Sequence, residues 1–249
     1  SGSDGAPSIT KATSGELYTW FAGTFAAIAT NKVWTSADAG TNWTDITPAT
    51  GCDDDNDFSQ LLALSDGDVI LIRQDITANS LQSIVYDGAS WGGSWSNIDT
   101  ITENAIYDQS WSAALNPGTT NIYLVAQTYQ GNAAGDLKAY EFNNVTRAWT
   151  TVATIVDDTG ANIAGVATLI DENTETIYAV YSRADFDVDV ANTTLPPKMG
   201  IYWRNSIDGG TNWSAESSAV EPYQCWWRVV RGNMANNERL YAMWYDGEA

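Results

Sequence analysis

The nine residues "SADAGTNWT" (Ser36–Thr44) return late in the chain as "SIDGGTNWS" (Ser206–Ser214). Both copies keep Ser, Asp, Gly, Thr, Asn and Trp at the same spacing and differ only at the remaining positions. An Asp side chain in such a turn can accept hydrogen bonds from backbone N–H groups just after it, and Gly tolerates a positive φ. We therefore expect two copies of the same closed turn, each with a Trp that packs beneath it as an apolar lid. The structural residues are Ser36, Asp38, Gly40 and Trp43 in the first copy and Ser206, Asp208, Gly210 and Trp213 in the second.

The rest of the chain consists of short runs of aromatic and β-branched residues, without the 3.6-residue period of a helix. "DVILIRQD", "NIYLVAQTY" and "TIYAVYSR" are three such runs, and each follows a strand of small residues and precedes a third strand. The third strand leads through a turn to a Trp, at Trp43, Trp91, Trp149 and Trp213. This spacing is typical of four-stranded propeller blades with loop insertions. The sequence therefore predicts an all-β fold, a β-propeller of about four to six four-stranded antiparallel blades.

The ends of the chain bear on how the repeat closes. The first strong strand, "ELYTWFAG", has the character of a second strand, so we predict an extended N-terminal segment (1–13) and one propeller domain (14–249). Closure is either internal or between chains, through Ala6–Thr13 or the arm Ala184–Asn192. Exchange between chains predicts self-association into a ring or filament.

The pattern Ser-x-Asp-x-Gly-x-x-Trp resembles the Asp box of the sialidase-like β-propellers, also called the bacterial neuraminidase repeat. Two turns match it in full, whereas the turns before Trp91 and Trp149 keep the Trp and lose the Ser-x-Asp-x-Gly spacing. The resemblance implies the propeller fold and leaves activity open, because the family also contains proteins that are not enzymes.

A sialidase of this family would hold a carboxylate with three arginines and use an acidic acid/base and a Tyr with a Glu partner. None of the arginines lies in the Arg-Ile-Pro context that usually marks the first arginine of the family's triad. Arg73, in "LIRQD", has no Pro after it. Arg147 and Arg204 are predicted on outer strands, so a triad would come from Arg183, Arg228, Arg231 or Arg239. The chain has no His, which excludes Ser-His-Asp chemistry and most zinc sites, while hydrolysis by two carboxylates remains open.

The charge balance restricts the partners. Eleven basic and 31 acidic residues give a net charge of -20, which repels phosphate backbones and anionic membrane surfaces. No apolar run approaches the ~18 residues of a membrane span. We expect no nucleic-acid partner, no membrane insertion and no cofactor, and an extracellular or cell-surface location. Cys52 and Cys225 are either bridged to each other or two separate thiols.

Several further groups are candidates for binding or modification. A sugar-stacking cluster is predicted at Tyr223, Trp226, Trp227 and Arg228, and a buried core pair explains these residues equally well. Candidate N-glycosylation sites are Asn42, Asn144, Asn192 and Asn212. The segment "CDDDND" offers weak metal ligands at Asp53, Asp54, Asp55 and Asp57, although a solvated acidic loop is the better interpretation.

Together these observations favour a non-enzymatic, extracellular or surface β-propeller that acts as a structural or adhesive subunit, self-assembles into a filament or particle surface and carries glycans. The alternatives are a sialidase-like glycoside hydrolase and a monomeric carbohydrate-binding module of lectin type. The enzyme requires converging carboxylates, and the lectin requires an exposed aromatic platform.

Overall fold

The computed structural model describes most of the 249-residue chain and shows strands and turns throughout. The described residues are 8–21, 24–25, 28–29, 31–50, 52, 59–75, 80–100, 111–130, 133–157, 163–185, 198–224, 230–235 and 239–244. They contain no helix, and therefore none long and apolar enough to cross a membrane. The strands fall into two compact units, Ser1–Glu103 and Asn104–Ala249.

The first unit contains two four-stranded antiparallel sheets. The first sheet is formed by β1 (Ser8–Lys11), β2 (Leu17–Phe21), β5 (Lys32–Ser36) and β6 (Thr44–Asp45), in that order. A short hairpin of β3 (Thr24–Phe25) and β4 (Ile28–Ala29) lies between β2 and β5 in the sequence. The second sheet is formed by β7 (Ser59–Ala63), β8 (Val69–Asp75), β9 (Ser80–Tyr86) and β10 (Ser96–Thr100), also in sequence order.

The second unit repeats this arrangement. Its third sheet contains β11 (Trp111–Leu115), β12 (Ile122–Gln130), β13 (Ala133–Asn143) and β14 (Ala148–Val156). The fourth sheet contains β15 (Ile163–Ile170), β16 (Ile177–Asp185), β17 (Lys198–Ser206) and β18 (Ser217–Gln224). The pair β19 (Val230–Ala235) and β20 (Arg239–Trp244) follows. Four four-stranded antiparallel sheets in an all-β chain confirm the predicted fold class, a β-propeller.

The apolar face of each second strand explains where the cores lie. Val69 and Leu71 on β8 pack into a buried cluster with Tyr18, Trp20 and Val33 of the first sheet. In the second unit, the equivalent cluster joins residues of the third and fourth sheets, among them Val125, Leu137, Val166, Ala179 and Tyr181. Each core is thus built between neighbouring sheets, as expected when sheets pack face to face.

The N-terminal segment contributes a strand to the first sheet. A strand precedes "ELYTWFAG": β1 pairs with β2 in antiparallel register, from Ser8 opposite Trp20 to Lys11 opposite Leu17. "ELYTWFAG" therefore supplies the second strand of its sheet, as the sequence predicted, and the strand before it is the polar run "SITK", which does not stand out by composition. The proposed division into 1–13 and 14–249 stays a prediction.

Hydroxyl groups join the first strands of neighbouring sheets. A first strand is a sheet edge, so half of its backbone N–H groups have no partner within the sheet. The N–H of Leu61 donates to Ser8 Oγ at 3.1 Å, and the N–H of Ala63 donates to Thr10 Oγ1 at 3.2 Å. In the second unit, the N–H of Thr168 donates to Ser112 Oγ at 3.1 Å. The side chains of one sheet therefore satisfy the edge of the next.

Candidate functional site

The two repeated turns, Ser36–Thr44 (the first repeat turn) and Ser206–Ser214 (the second repeat turn), have the same hydrogen bonds. In the first, Ser36 Oγ donates to Asp38 Oδ1 at 2.8 Å and accepts from the N–H of Gly40 at 2.9 Å. In the second, Ser206 Oγ donates to Asp208 Oδ1 at 2.8 Å and accepts from the N–H of Gly210 at 2.9 Å. The Ser hydroxyl thus closes the turn on both sides in each copy.

The aspartates of these turns act as acceptors for the following Asn. Asp38 Oδ1 accepts from the backbone N–H of Asn42 at 2.8 Å, and Oδ2 accepts from Asn42 Nδ2 at 2.6 Å. These two bonds, the backbone one first, lower the pKa of Asp38 to about 2. In the second turn the side-chain bond from Asn212 is the larger cause that lowers the pKa of Asp208. Carboxylates engaged in this way hold the turn and are unsuited to donating a proton.

The repeat turns differ in what surrounds them. Trp43 donates its indole N–H to Gly40 O at 3.0 Å and keeps 36% of its surface exposed. Trp213 donates to Gly210 O at 2.7 Å and packs against the buried cluster that includes Tyr123, Ile170 and Ile177. The predicted apolar lid between sheets is therefore present at Trp213 and incomplete at Trp43.

The structure places the asparagines of three of the four candidate glycosylation triplets. Asn42 and Asn212 use Nδ2, the atom that a glycan would occupy, to donate to an Asp carboxylate. Asn144 is buried at 7% exposure and accepts from Arg147 Nη1 at 3.0 Å. Asn192 lies outside the described residues. Glycosylation stays a prediction at all four positions, and at these three it competes with a structural contact.

Most other predicted site residues fall outside the described part of the chain. Tyr223 lies on β18 by its backbone, and its side chain is not described. Cys52 is buried in the core of the first unit. The residues outside the described ranges are Trp226, Trp227, Arg228, Cys225, Asp53, Asp54, Asp55 and Asp57. Within the described ranges, no three His, Cys, Asp or Glu side chains come together as metal ligands would.

A polar row that the sequence did not reveal crosses all four strands of the second sheet. Its members are opposite one another in register: Ser59 faces Arg73, Arg73 faces Gln82, and Gln82 faces Asn97. Directly opposite residues of an antiparallel sheet share a face, so the four side chains form one line. The next row on that face, Leu61, Leu71 and Ile84, is apolar and buried. The same face of the sheet thus changes from apolar to polar side chains within one two-residue step.

Arg73 is the centre of this polar row. Its Nη2 donates to Asp75 Oδ2 at 2.7 Å and to Gln82 Oε1 at 2.8 Å, and its Nε donates to Gln82 Oε1 at 3.3 Å. The ring of Trp95 covers the guanidinium at 4.2 Å, and Gln82 Nε2 donates to Ser80 Oγ at 2.9 Å. Arg73 is only 5% exposed, which is rare for a charged residue unless it is paired. Among the described residues of the cluster, the carboxylate that pairs with Arg73 is that of Asp75, at the end of a buried strand.

Ser59 adds an unsatisfied group to the row. It is the first residue of β7 and is 2% exposed, yet its hydroxyl has no hydrogen-bond partner among the described residues. A buried hydroxyl without a partner costs about 1–3 kcal/mol, so such groups are uncommon and often belong to functional sites. The one sequence signal for this region is that β8 and β16 both end in Arg-x-Asp, at Arg73–Asp75 and Arg183–Asp185.

A Tyr–Glu pair is present in the fourth sheet, but it is buried. Tyr181 donates to Glu216 Oε2 at 2.5 Å, and Arg183 Nη1 lies 3.1 Å from Glu216 Oε1. Tyr181 has no exposed surface, and burial, followed by the bond to Glu216, raises its pKa. A raised pKa disfavours the phenolate that a nucleophile needs, and burial excludes a sugar. This pair stabilises the core rather than reproducing the Tyr and Glu of a sialidase.

The chain matches no protein-family model and no curated protein sequence. It does resemble solved structures of similar architecture. The α-L-arabinanase of Penicillium chrysogenum, complexed with arabinobiose, is 14% identical with a TM-score of 0.64, over 99% of this chain and 76% of that one. An α-L-arabinofuranosidase of Fusarium graminearum with an iminosugar inhibitor is 12% identical with a TM-score of 0.63, over 96% and 74%. A polysaccharide lyase described as an ulvan lyase is 15% identical with a TM-score of 0.62, over 92% and 60%.

At these identities the similarity establishes the propeller fold. The main functional prediction, a non-enzymatic structural or adhesive subunit, is contradicted, because the matching folds belong mostly to enzymes that process carbohydrate. The prediction failed because it inferred the absence of catalysis from the absence of one arginine pattern. The solved structures that resemble the chain include glycoside hydrolases, the class of protein that its alternative named.

Proposed function

We propose that this protein is a carbohydrate-active enzyme of β-propeller fold that hydrolyses glycosidic bonds, and that the polar row with Asp75 forms part of its substrate site. The observation that carries the proposal is the buried Arg73–Asp75 pair at the end of β8, beside an unsatisfied Ser59 hydroxyl. The similarity to the folds of an α-L-arabinanase and an α-L-arabinofuranosidase supports it.

The chemistry of the cluster suits a sugar. Asp75, Gln82 and Asn97 offer carboxylate and amide groups, which are the partners of sugar hydroxyls, and Trp95 supplies a flat aromatic surface. In its ion pair with Arg73, the Asp75 carboxylate accepts a hydrogen bond. Its role is therefore that of a base, a nucleophile or an acceptor for a sugar hydroxyl. The usual two-carboxylate mechanism needs a second carboxyl group about 5–10 Å away.

The repeat turns support a second part of the proposal, that they are Asp boxes. The Ser–Asp–Gly–Asn network, present twice with the same donors and acceptors, is what the resemblance implies for a fold-stabilising turn. The acidic composition supports an extracellular location. Neither part of the proposal assigns a catalytic role to the turns.

Release of reducing sugar from a panel of neutral and charged polysaccharides and aryl glycosides tests the enzyme proposal. We expect turnover of at least one substrate and a loss of about 100-fold or more in kcat/KM for Asp75→Asn. Asp66→Asn is the matched control, because Asp66 is exposed in the β7–β8 turn at the opposite end of the same hairpin. Absence of turnover on the whole panel overturns the proposal, and equal losses in the two variants remove Asp75 from it.

A further inference from the structure

We propose that the polar row of the second sheet selects uncharged glycans and excludes glycans that carry carboxylate or sulfate groups. This inference rests on the proposed function, because it names the substrate class of the same site. It follows from the contacts of Arg73, which is the one cation among the four residues of the row.

The guanidinium of Arg73 is already engaged on its edge and on one face. Its Nη2 and Nε donate to Asp75 and Gln82, and the Trp95 ring covers it at 4.2 Å. Recognition of a sugar carboxylate or sulfate by Arg usually needs two N–H groups directed at the anion. With 6% of its side chain exposed, Arg73 has little surface at which to present two such groups.

The balance of charge between Arg73 and Asp75 also disfavours the binding of an anionic glycan. The single positive charge of Arg73 is balanced by the single negative charge of Asp75 at 2.7 Å, so the pair offers an anion no net attraction. An incoming carboxylate would meet the Asp75 carboxylate at close range, and like charges at such distances repel strongly when shielded from water. Sugar hydroxyls are uncharged and meet no such repulsion.

The other arginines whose side chains the structure describes are also occupied. Arg183 lies 3.1 Å from Glu216, Arg147 donates to the Asn144 amide oxygen, and Arg204 donates to the carbonyl of Ile155 at 2.7 Å. The net charge of -20 adds a long-range repulsion of polyanions that salt can screen. Local exclusion at the polar row, in contrast, is predicted to persist in high salt, which makes the two effects separable.

Affinity gel electrophoresis of the whole chain tests the inference without requiring cleavage. The probes are debranched arabinan, xylan and galactan as neutral glycans and polygalacturonate as the anionic glycan, at about 0.15 M and about 1 M salt. We expect retardation by at least one neutral glycan and none by polygalacturonate at either salt concentration. Retardation by polygalacturonate at high salt, or by no neutral glycan, overturns the inference.

Charge variants sharpen the test. Asp75→Asn removes the negative charge that lies 2.7 Å from Arg73, so we expect the variant to gain affinity for polygalacturonate by about tenfold or more. Asp66→Asn changes the net charge by the same amount at the other end of the hairpin and is expected to gain nothing. Equal gains in both variants overturn the inference. If Asp75→Asn does not fold, the wild-type comparison at two salt concentrations still decides.

Binding and cleavage separate this inference from the proposed function. Retardation by a neutral glycan without cleavage of any substrate rejects the enzyme and leaves the selectivity intact. Cleavage of an anionic polysaccharide by the wild-type protein supports the enzyme and rejects the selectivity.

Discussion

The two repeat turns have the same hydrogen bonds and different surroundings. Gly210 is buried, and a Cβ atom placed there would lie 3.5 Å from Val152 of the neighbouring third sheet. At Gly40 the same atom would lie near Trp43 and Leu17, which belong to the turn's own sheet. Nine residues are therefore enough to close the turn, whereas its contribution to stability depends on whether another sheet packs against it.

The tryptophans should show the largest difference between the turns. Trp213→Ala removes a side chain packed in a core cluster and is expected to cost about 3 kcal/mol of unfolding free energy. Trp43→Ala removes a side chain that is 36% exposed and is expected to cost about 1 kcal/mol. Urea unfolding of both variants measures the difference. Equal costs would mean that the environment of the turn does not matter.

Exchanging the residues at the first positive-φ position of each turn tests backbone strain. Ala39 has φ 58° and its counterpart Gly209 has φ 70°, a region that disfavours residues with a Cβ atom. We expect Ala39→Gly to stabilise the protein by up to about 1 kcal/mol and Gly209→Ala to destabilise it by about 1 kcal/mol. Thermal melting of both variants checks the signs, and two shifts of the same sign would contradict the assignment.

The pH dependence of the turns should show the smallest effect, because both aspartates are at the surface. The folded-state pKa of Asp38 is lowered to about 2, below its unfolded value of ~3.9. Its stabilisation is therefore fully present above about pH 4 and is lost as the pH falls towards 2. The melting-temperature difference between wild type and Asp38→Asn is expected to be constant at neutral pH and to shrink below pH ~4. Asp208→Asn should behave in the same way, because the pKa of Asp208 is also lowered.

The sequence predicted the propeller and its turns because both depend on local patterns. Gly40 and Gly210 have φ angles of 91° and 85°, the positive values that the sequence pattern of the turn predicted. The polar row was missed because Ser59, Arg73, Gln82 and Asn97 are brought together only by the register of four strands. In the sequence, Arg73 is one polar residue at the end of an apolar run, and its partner Gln82 is on the next strand.

The sugar-stacking cluster, the disulfide and self-association stay predictions. Tyr223 is described only by its backbone, and Cys225 lies outside the described residues. The exchange of Ala6–Thr13 between chains now has a competitor within the chain, because β1 pairs with β2 and holds β7 through Ser8 and Thr10. An exchanged strand would have to replace both sets of contacts.

The hydroxyl contacts between first strands give the amide protons of Leu61, Ala63 and Thr168 an unusual position. Edge amides ordinarily exchange with solvent deuterium quickly, because no strand covers them. Here each is protected by a side chain from the adjacent sheet, at Ser8, Thr10 and Ser112. Their exchange therefore reports the separation of two sheets rather than the unzipping of one, and these three protons measure how often neighbouring blades part while each remains folded.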